Sequence, residues 1–474
     1  MTTRSRLFAL SAAAAATLWL AGCAAVARPP ESVAATAPPQ WYAPLPHGGT
    51  LTDLKQWWQQ FNDPLLIDLI EAAQTVSPTV ASAGSRIAQA RASRVAAGAA
   101  LLPTLDATAA ATRGNAQAGA PLATTLQGGL QTAWEIDLFG GNRAAADAAQ
   151  ARLDSERAGW HAARVAVAAE TANSYLNLRT CERQLGVVTN DARSRAETAR
   201  LTALSAEAGF TAPAVSALAR ASAAEASARV TQQRAQCEIE IKGLVALSGL
   251  PEPQLRQKLD VAWAEPTEFA LVALAPLPAQ LLVQRPDVYQ SEREVAAASA
   301  DVGTARADRL PRLTLSGQVG RLALRAGGST NSMETWSIGP LAMTMPIFDG
   351  GRRAANEDAA TARYEEAVAL YTARVRQAVR EVEEALVVLE SARDRSQDAR
   401  TAVEGYRASF SASEARYRSG LGSLIEMEDQ RRVALAAELA LVNLQRERIA
   451  AWIALYRAVG GGWARPEAIA AAPR

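Results

Sequence analysis

Hydrophobic and polar positions change period several times along the chain. From about Pro64 to Leu102 the pattern is helical, and Pro103 stops it. Leu105 to Arg113 then reads LDATAAATR, setting Leu105, Ala107, Ala109 and Ala111 against Asp106, Thr108, Ala110 and Thr112, the two-residue period of a strand. After a polar, Gly-containing loop, LQGGLQTAWEIDL alternates most clearly. Leu126, Leu130, Thr132, Trp134, Ile136 and Leu138 share one face, and Gln127, Gln131, Glu135 and Asp137 share the other. Two later segments, LTLSGQVGR from Leu313 and WSIGPLAMTMPIF from Trp336, bring the predicted strands to four. The last alternates poorly and carries Pro340, which a strand tolerates only at an edge or a bulge. A half-buried strand of a soluble protein also alternates. Strands of about ten residues, apolar outside and polar inside, used in pairs between long helices, equally fit a barrel wall between lipid and water.

Each strand pair runs into a double glycine and then an alanine-rich helix: EIDLFGGNRAA at 135–145 and PIFDGGRRAA at 346–355. Gly140, Gly141, Gly350 and Gly351 supply the backbone freedom needed where a strand leaves a sheet and a helix begins. Neither copy contains GxGxxG or GxxxxGK[ST], so a phosphate-binding loop is not predicted. Long helical stretches follow, from Ala144 toward Glu207 and from Ala354 toward Arg418. In the second, Val368, Tyr371, Val375, Ala378, Val382, Ala385 and Leu389 keep the three-four spacing of a coiled-coil seam. The 68 residues from Gly141 to Gly209 would reach about 100 Å as one helix. Helices at roughly 64–102 and 212–248 together match that length, so two short helices end to end can lie along one long one. Such a rod has too little core of its own and predicts burial against neighbouring copies.

The halves superimpose by offset. Pro78, Val80, Leu102, Pro103 and Leu105 stand 208 residues before Pro286, Val288, Leu310, Pro311 and Leu313. Gly140 and Gly141 stand 210 before Gly350 and Gly351, and Gly209 and Gly249 stand 211 before Gly420 and Gly460. A duplicated unit is predicted: a first repeat at 64–250, a linker at 251–280, a second repeat at 281–461 and a tail at 462–474.

Composition adds two facts. The 474 residues carry a net charge of +1, and no basic patch interleaves with aromatics, so nothing marks a nucleic-acid partner. Aromatics are only 5%, and alanine is the largest single contributor to the apolar count, which favours closely approaching helices. The N-terminus reads as a signal peptide over 1–22: MTTRSR, an apolar run too short to span a membrane, then LAGC. Leu20-Ala21-Gly22-Cys23 resembles a bacterial lipobox, which predicts lipidation of Cys23 and a Pro-rich, lipid-anchored tether over 23–63. Ordinary cleavage at a nearby A-x-A site is the alternative. Ala24, in place of the aspartate of inner-membrane retention, implies outer-membrane sorting. No later apolar run is long enough for a transmembrane helix, so any span must be β.

The order helix, strand pair, long helix, short helix, twice over behind a lipobox, resembles the TolC-like outer membrane factors, in particular the OprM-like lipoproteins of resistance-nodulation-division efflux systems. The matching stretches are WWQQFNDPLLIDLI, AWEIDLFGGNRAA, LLVQRPDV followed by ADVGTARADRLPRLTLSG, MPIFDGGRR, and ARYRSGLGSLIEMEDQRR. SPTV at 77–80 and AGFTAP at 208–213 depart from the usual forms. The resemblance implies a mixed α and β membrane protein, a homotrimer. Each protomer would give four strands to a shared transmembrane β-barrel, and its long antiparallel helices would form a hollow periplasmic coiled-coil barrel. It implies a channel for small toxic compounds or drugs, working with an inner-membrane pump and a periplasmic adaptor. It also implies that Gly209 and Gly420 mark periplasmic tips where the adaptor docks, the alternative being glycines that only stop a helix, and that Ile425 and Asp429, after the second tip, narrow the pore. There, three aspartates on a threefold axis would favour cations. The alternative for Asp429 is an exposed carboxylate paired with Arg431 or Arg432.

No enzymatic constellation is legible. His47 and His161 are the only histidines, without metal-ligand spacing, and are expected at the surface; there is no GxSxG, and no metal or cofactor is expected. A type I protein-secretion channel of the same fold and a non-channel coiled-coil envelope lipoprotein are the competing functions. Cys181 and Cys237 stand 28 residues before and 28 after Gly209, level with each other in a symmetric hairpin. With Cys23 lipidated they form an even pair in an oxidising compartment, which predicts a disulfide, the alternative being two level thiols that point apart. Ala392 and Arg448 hold the corresponding sites of the second half.

Overall fold

A computed structural model of the chain describes residues 26–34, 58, 59, 61, 63–115, 122–260, 285–463 and 465. The signal segment, Cys23, His47, most of the tether and most of the linker lie outside the described residues. The chain divides into two compact units: one from 1–35, 85–158 and 289–373, the other from 36–84, 159–288 and 374–474.

Helix α1 (Pro64–Val76) starts where the Asp63 carboxylate accepts from the Leu65 and Leu66 amides at 3.0 and 3.4 Å, and α2 (Pro78–Ala99) follows after one residue. The single predicted helix over 64–102 is therefore two. Pro78 excludes the helical conformation at Ser77, which is extended at φ −62° and ψ 121°, and Pro78 itself opens the next helix. Strands β1 (Thr104–Gly114) and β2 (Ala123–Ile136), then helices α3 (Gly141–Glu207), α4 (Pro213–Ser248) and α5 (Glu252–Leu259), complete the first series. The second is α6 (Pro286–Ala307), β3 (Arg312–Ala326), β4 (Ser329–Thr344), α7 (Arg352–Arg418) and α8 (Leu424–Ala458).

In the first unit the strands form one antiparallel sheet in the order β1-β2-β3-β4. The register pairs Leu105 with Thr132, Leu130 with Val319 and Val319 with Trp336. It shifts by one residue between Leu315↔Leu341 and Gly317↔Ile338, which sets Gly339 and Pro340 in a bulge of β4. That is how a strand predicted to be poor at this position persists: the bulge and the outer edge spare Pro340 a ladder donor it lacks. Beside the sheet, the first turns of α3 bury Ala144, Ala148 and Leu153, and α6 buries Val295, Ala300 and Val302. Ser155 Oγ donates to Glu294 at 2.6 Å, linking α3 to α6.

The second unit has a continuous apolar core of Leu66, Leu69, Tyr175, Leu178, Leu244, Leu255, Leu386, Trp452 and Ile453. Along α7 the predicted seam is buried at Val375, Ala378, Val382, Ala385 and Leu389. Arg285, just before α6, is 5% exposed. Its guanidinium donates to both Asp287 oxygens at 3.0 and 2.8 Å, to Glu381 of α7 at 2.8 Å and to the Ala458 carbonyl ending α8 at 2.8 Å.

Candidate functional site

The two faces of the sheet differ in chemistry. Leu105, Leu126, Leu130, Trp134, Val319, Trp336, Ile338, Leu341 and Met343 fall on one face by register and parity, and they are 37% to 84% exposed. Gln127, Gln131, Glu135, Thr314, Ser316, Gln318, Thr335 and Ser337 fall on the other. Strands of 11 to 16 residues are long enough to cross a bilayer when tilted. Exposed apolar residues aligned over four strands make a surface suited to lipid. Among the described residues no helix is long and apolar enough to cross a membrane.

Both strand-to-helix turns use a carboxylate with the glycines. Asp137 accepts from the Asn142 and Arg143 amides at 3.1 and 2.9 Å and from Arg143 Nε at 3.1 Å, capping α3. Asp349 accepts from the Gly351 and Arg353 amides at 3.1 and 3.2 Å and from Arg353 Nη1 at 2.9 Å, capping α7. Gly140 at φ 78°, Gly350 at 66° and Gly351 at 88° hold the left-handed backbone that brings each carboxylate round. Gly141 is helical, and its need is space: a Cβ there would lie 2.9 Å from Ala307 Cβ. Burial raises the Asp137 pKa, but the two amides and the Arg143 guanidinium outweigh it and hold the carboxyl below its ordinary value.

The helix hairpins turn alike. Gly209 (φ 78°) donates to Ala206 O at 3.1 Å and Phe210 N donates to Ser205 O at 2.9 Å. Gly420 (φ 74°) donates to Tyr417 O at 3.0 Å and Leu421 N to Arg416 O at 2.8 Å. Both are Schellman closures, and each leaves the next side chain outside: Phe210 is 86% and Leu421 73% exposed.

Behind the tips lies a buried polar network that the sequence reading missed. Arg195 of α3 donates to Asp191 at 2.9 Å and to Ser222 of α4 and Glu428 of α8 at 2.5 Å each. Arg431 donates to Glu428 at 2.6 Å and to Ser194 and Thr198 at 3.2 Å. Its burial pushes the guanidinium pKa down, against the pull of Glu428. Asp429, one residue on from Glu428, is instead exposed and paired with Arg432 at 3.0 Å, and Ile425 beside it is 63% exposed. Of the two arginine partners considered for Asp429, Arg431 is committed to the interior.

Cys181 and Cys237 are buried and joined between α3 and α4, with Cα atoms 5.5 Å apart, and Gln233 Nε2 donates to Cys181 Sγ at 3.1 Å. His161 departs from the surface position expected of it. It is half-buried in the wall of a cavity of about 650 Å³ with Trp58, Gln74, Arg164, Tyr456 and Trp463. Burial, then the Arg164 charge, lowers its pKa, so the ring is neutral at pH 7. Its ring meets Trp160 edge-on at 4.9 Å. Among the described residues no group of His, Cys, Asp or Glu could hold a metal ion.

Residues 69–250 and 277–461 match the family model described as outer membrane efflux protein. The chain is 30% identical over 455 residues to the pyoverdine export outer membrane protein OpmQ of Pseudomonas putida, covering 92% of this chain and 94% of that one. It is 33% identical to outer membrane protein OprJ of Pseudomonas aeruginosa over 361 residues, 72% and 71% of the two chains. Among solved structures, the outer-membrane channel OprN superimposes with a TM-score of 0.82 at 29% identity, covering 93% of this chain and 99% of that one. An exposed apolar sheet face, paired strand-to-helix turns and a family match over both halves lead to one conclusion: the chain belongs to the outer membrane efflux protein family and is an efflux channel protein of the outer membrane.

Proposed function

We propose that three copies of this chain assemble into one channel, their four-stranded sheets closing a common barrel and their helices a hollow periplasmic conduit. The observation that carries this reading is the open sheet. Among the described residues β1 and β4 are each paired on one side only, while the apolar face is exposed across all four strands. Unpaired backbone is not tolerated in hydrocarbon, so a sheet presenting such a face must find strands from other copies. The repeats at 64–250 and 281–461 then supply equivalent halves of the wall, and lipidated Cys23 anchors the tether to the membrane.

In this channel the polar sheet face lines the lumen. Ile425 and Asp429 narrow its periplasmic end, and the tips at Gly209 and Gly420 meet a periplasmic adaptor that couples the channel to an inner-membrane pump of the resistance-nodulation-division type. The cargo is small toxic compounds. Relatives named for pyoverdine export and for toluene efflux support a conduit with little selectivity of its own, the pump choosing the substrate. The purified protein in planar bilayers tests the reading: trimers that conduct ions support it, and a monomer that inserts without conducting overturns it.

A further inference from the structure

The paired strand ends Gly114 and Ala123 and the turn at Gly327–Gly328 lie at one end of the sheet, and all four connections to helices leave from the other. In an outer-membrane channel with periplasmic helices, the loop end faces the outside. At that end the outward apolar face turns cationic. Arg113 pairs with Thr124 and Thr124 with Arg325, so the two arginines flank one threonine on the same face, about 10 Å apart across two strand spacings. Both are exposed, and neither has an acidic partner among the described residues. A third arginine, Arg321, stands on the same face, but Glu334 pairs opposite it and Ser332 accepts its Nη2 at 3.2 Å.

Height places the pair. From Leu313, where the apolar face begins, to Arg325 is 12 residues, which in a tilted strand rises about 30 Å against an apolar band of about 25 Å. Arg113 and Arg325 thus stand just beyond the hydrocarbon, at the level of the outer-leaflet headgroups. A charge on the lipid face is costly at mid-bilayer and nearly neutral at the interface, which fits Arg113 and Arg325 at this height; Arg321, four residues lower, stands opposite Glu334. Guanidinium binds phosphate through paired hydrogen bonds.

We propose that Arg113 and Arg325 form an outward-facing site for the phosphates of the phosphorylated glycolipid of the outer leaflet, so that the channel carries specifically bound lipid at its outer rim. The site rests on the barrel reading above. The test is native mass spectrometry and fluorescence titration of the full-length trimer with bisphosphorylated lipid A, its monophosphoryl derivative and phosphatidylglycerol. Wild type is expected to bind bisphosphorylated lipid A most tightly, with affinity falling as salt rises. Arg113→Gln with Arg325→Gln should weaken it about tenfold, and Arg113→Lys with Arg325→Lys should restore much of the loss. Equal binding of the two lipid A forms by wild type, equal affinity in the glutamine variant, or phosphatidylglycerol bound as tightly as lipid A would each overturn the site. Planar-bilayer conductance of the same samples separates the two ideas: a conducting trimer without lipid preference refutes the site alone, and a wild type that neither inserts nor conducts refutes the barrel and the site together.

Discussion

Arg285 holds three chain segments with one side chain, so its removal should cost more than its place in a connecting segment suggests. Arg285→Met keeps the aliphatic stem and deletes the guanidinium. It leaves Asp287 and Glu381, 25% and 21% exposed at the side chain, with a negative charge each and no counter-ion of that quality, and leaves the Ala458 carbonyl without its donor. Hydrogen bonds to a charged group contribute about 1.5–3 kcal/mol each, and breaking a buried pair costs about 3–5 kcal/mol. Partial rehydration of the carboxylates sets the expectation at the low end, about 3 kcal/mol. Arg285→Lys keeps the charge but not the fork and should lose about half of that.

The loss should also depend on pH. Burial raises the pKa of Asp287, but the Arg285 hydrogen bonds and charge overcome it and hold the carboxyl below its ordinary value; Glu381 is likewise held down against burial by its hydrogen bonds and Arg285. A depressed folded pKa means a contribution present above the unfolded values, about 4, and lost as pH falls through the folded ones. Denaturant unfolding followed by circular dichroism at pH 7 and pH 3 should therefore give a wide gap between wild type and Arg285→Met at the higher pH and a narrower one at the lower. A gap under about 1 kcal/mol at pH 7, or one unchanged at pH 3, would refute the clamp.

Three further outcomes are expected. Asp429→Ala should reduce cation selectivity in planar bilayers while sparing stability, since its partner Arg432 is an exposed neighbour; unchanged selectivity places the constriction elsewhere. Gly420→Trp should abolish drug resistance with trimers still in the outer membrane. Space around Gly420 is open, so the cost to folding is backbone strain at φ 74°, about 1–2 kcal/mol, and full resistance would exclude the tip from docking. Unreduced, denatured protein should leave Cys181 and Cys237 unlabelled by a thiol reagent. Cys181→Ser with Cys237→Ser should cost up to about 4 kcal/mol for a bridge of sequence separation 56, less in an assembled trimer.

What was legible in the sequence was local in origin. Strand faces follow from a period of two, so Leu126, Leu130 and Trp134 could be placed together without knowing their partners. The Cys181–Cys237 pair was legible because helical rise is constant, and equal distances from Gly209 put both residues at one height. The break at Ser77 was also written in the chain, in the dipeptide Ser-Pro, and was overridden by an apolar pattern that runs on through it. Asp137 and Asp349 stood in the quoted turns, but the glycines drew the explanation that the carboxylates share.

What could not be read were contacts set by register between distant helices: Arg285 with Glu381, Arg195 with Glu428, and the Trp and Tyr walls around His161. The second tip shows where the boundary falls. Leu424, Met427, Arg431 and Ala434 recur at three-four spacing and are buried, which fixes the phase of α8. Ile425, Asp429 and Arg432 recur at the same spacing on the opposite stripe and are exposed. Glu428 and Asp429 are both carboxylates, one residue and about 100° apart, and that rotation alone sends the first into the Arg195–Arg431 network and the second outward. An arginine on the buried stripe already signals such a network, because a charge there needs a partner. Which residue supplies it depends on α3, more than 200 residues earlier in the chain. Among the described residues Asp429 pairs with Arg432 alone, so the phase of α8 leaves Ile425 and Asp429 facing outward, where the resemblance puts the constriction, and turns Glu428 away from it.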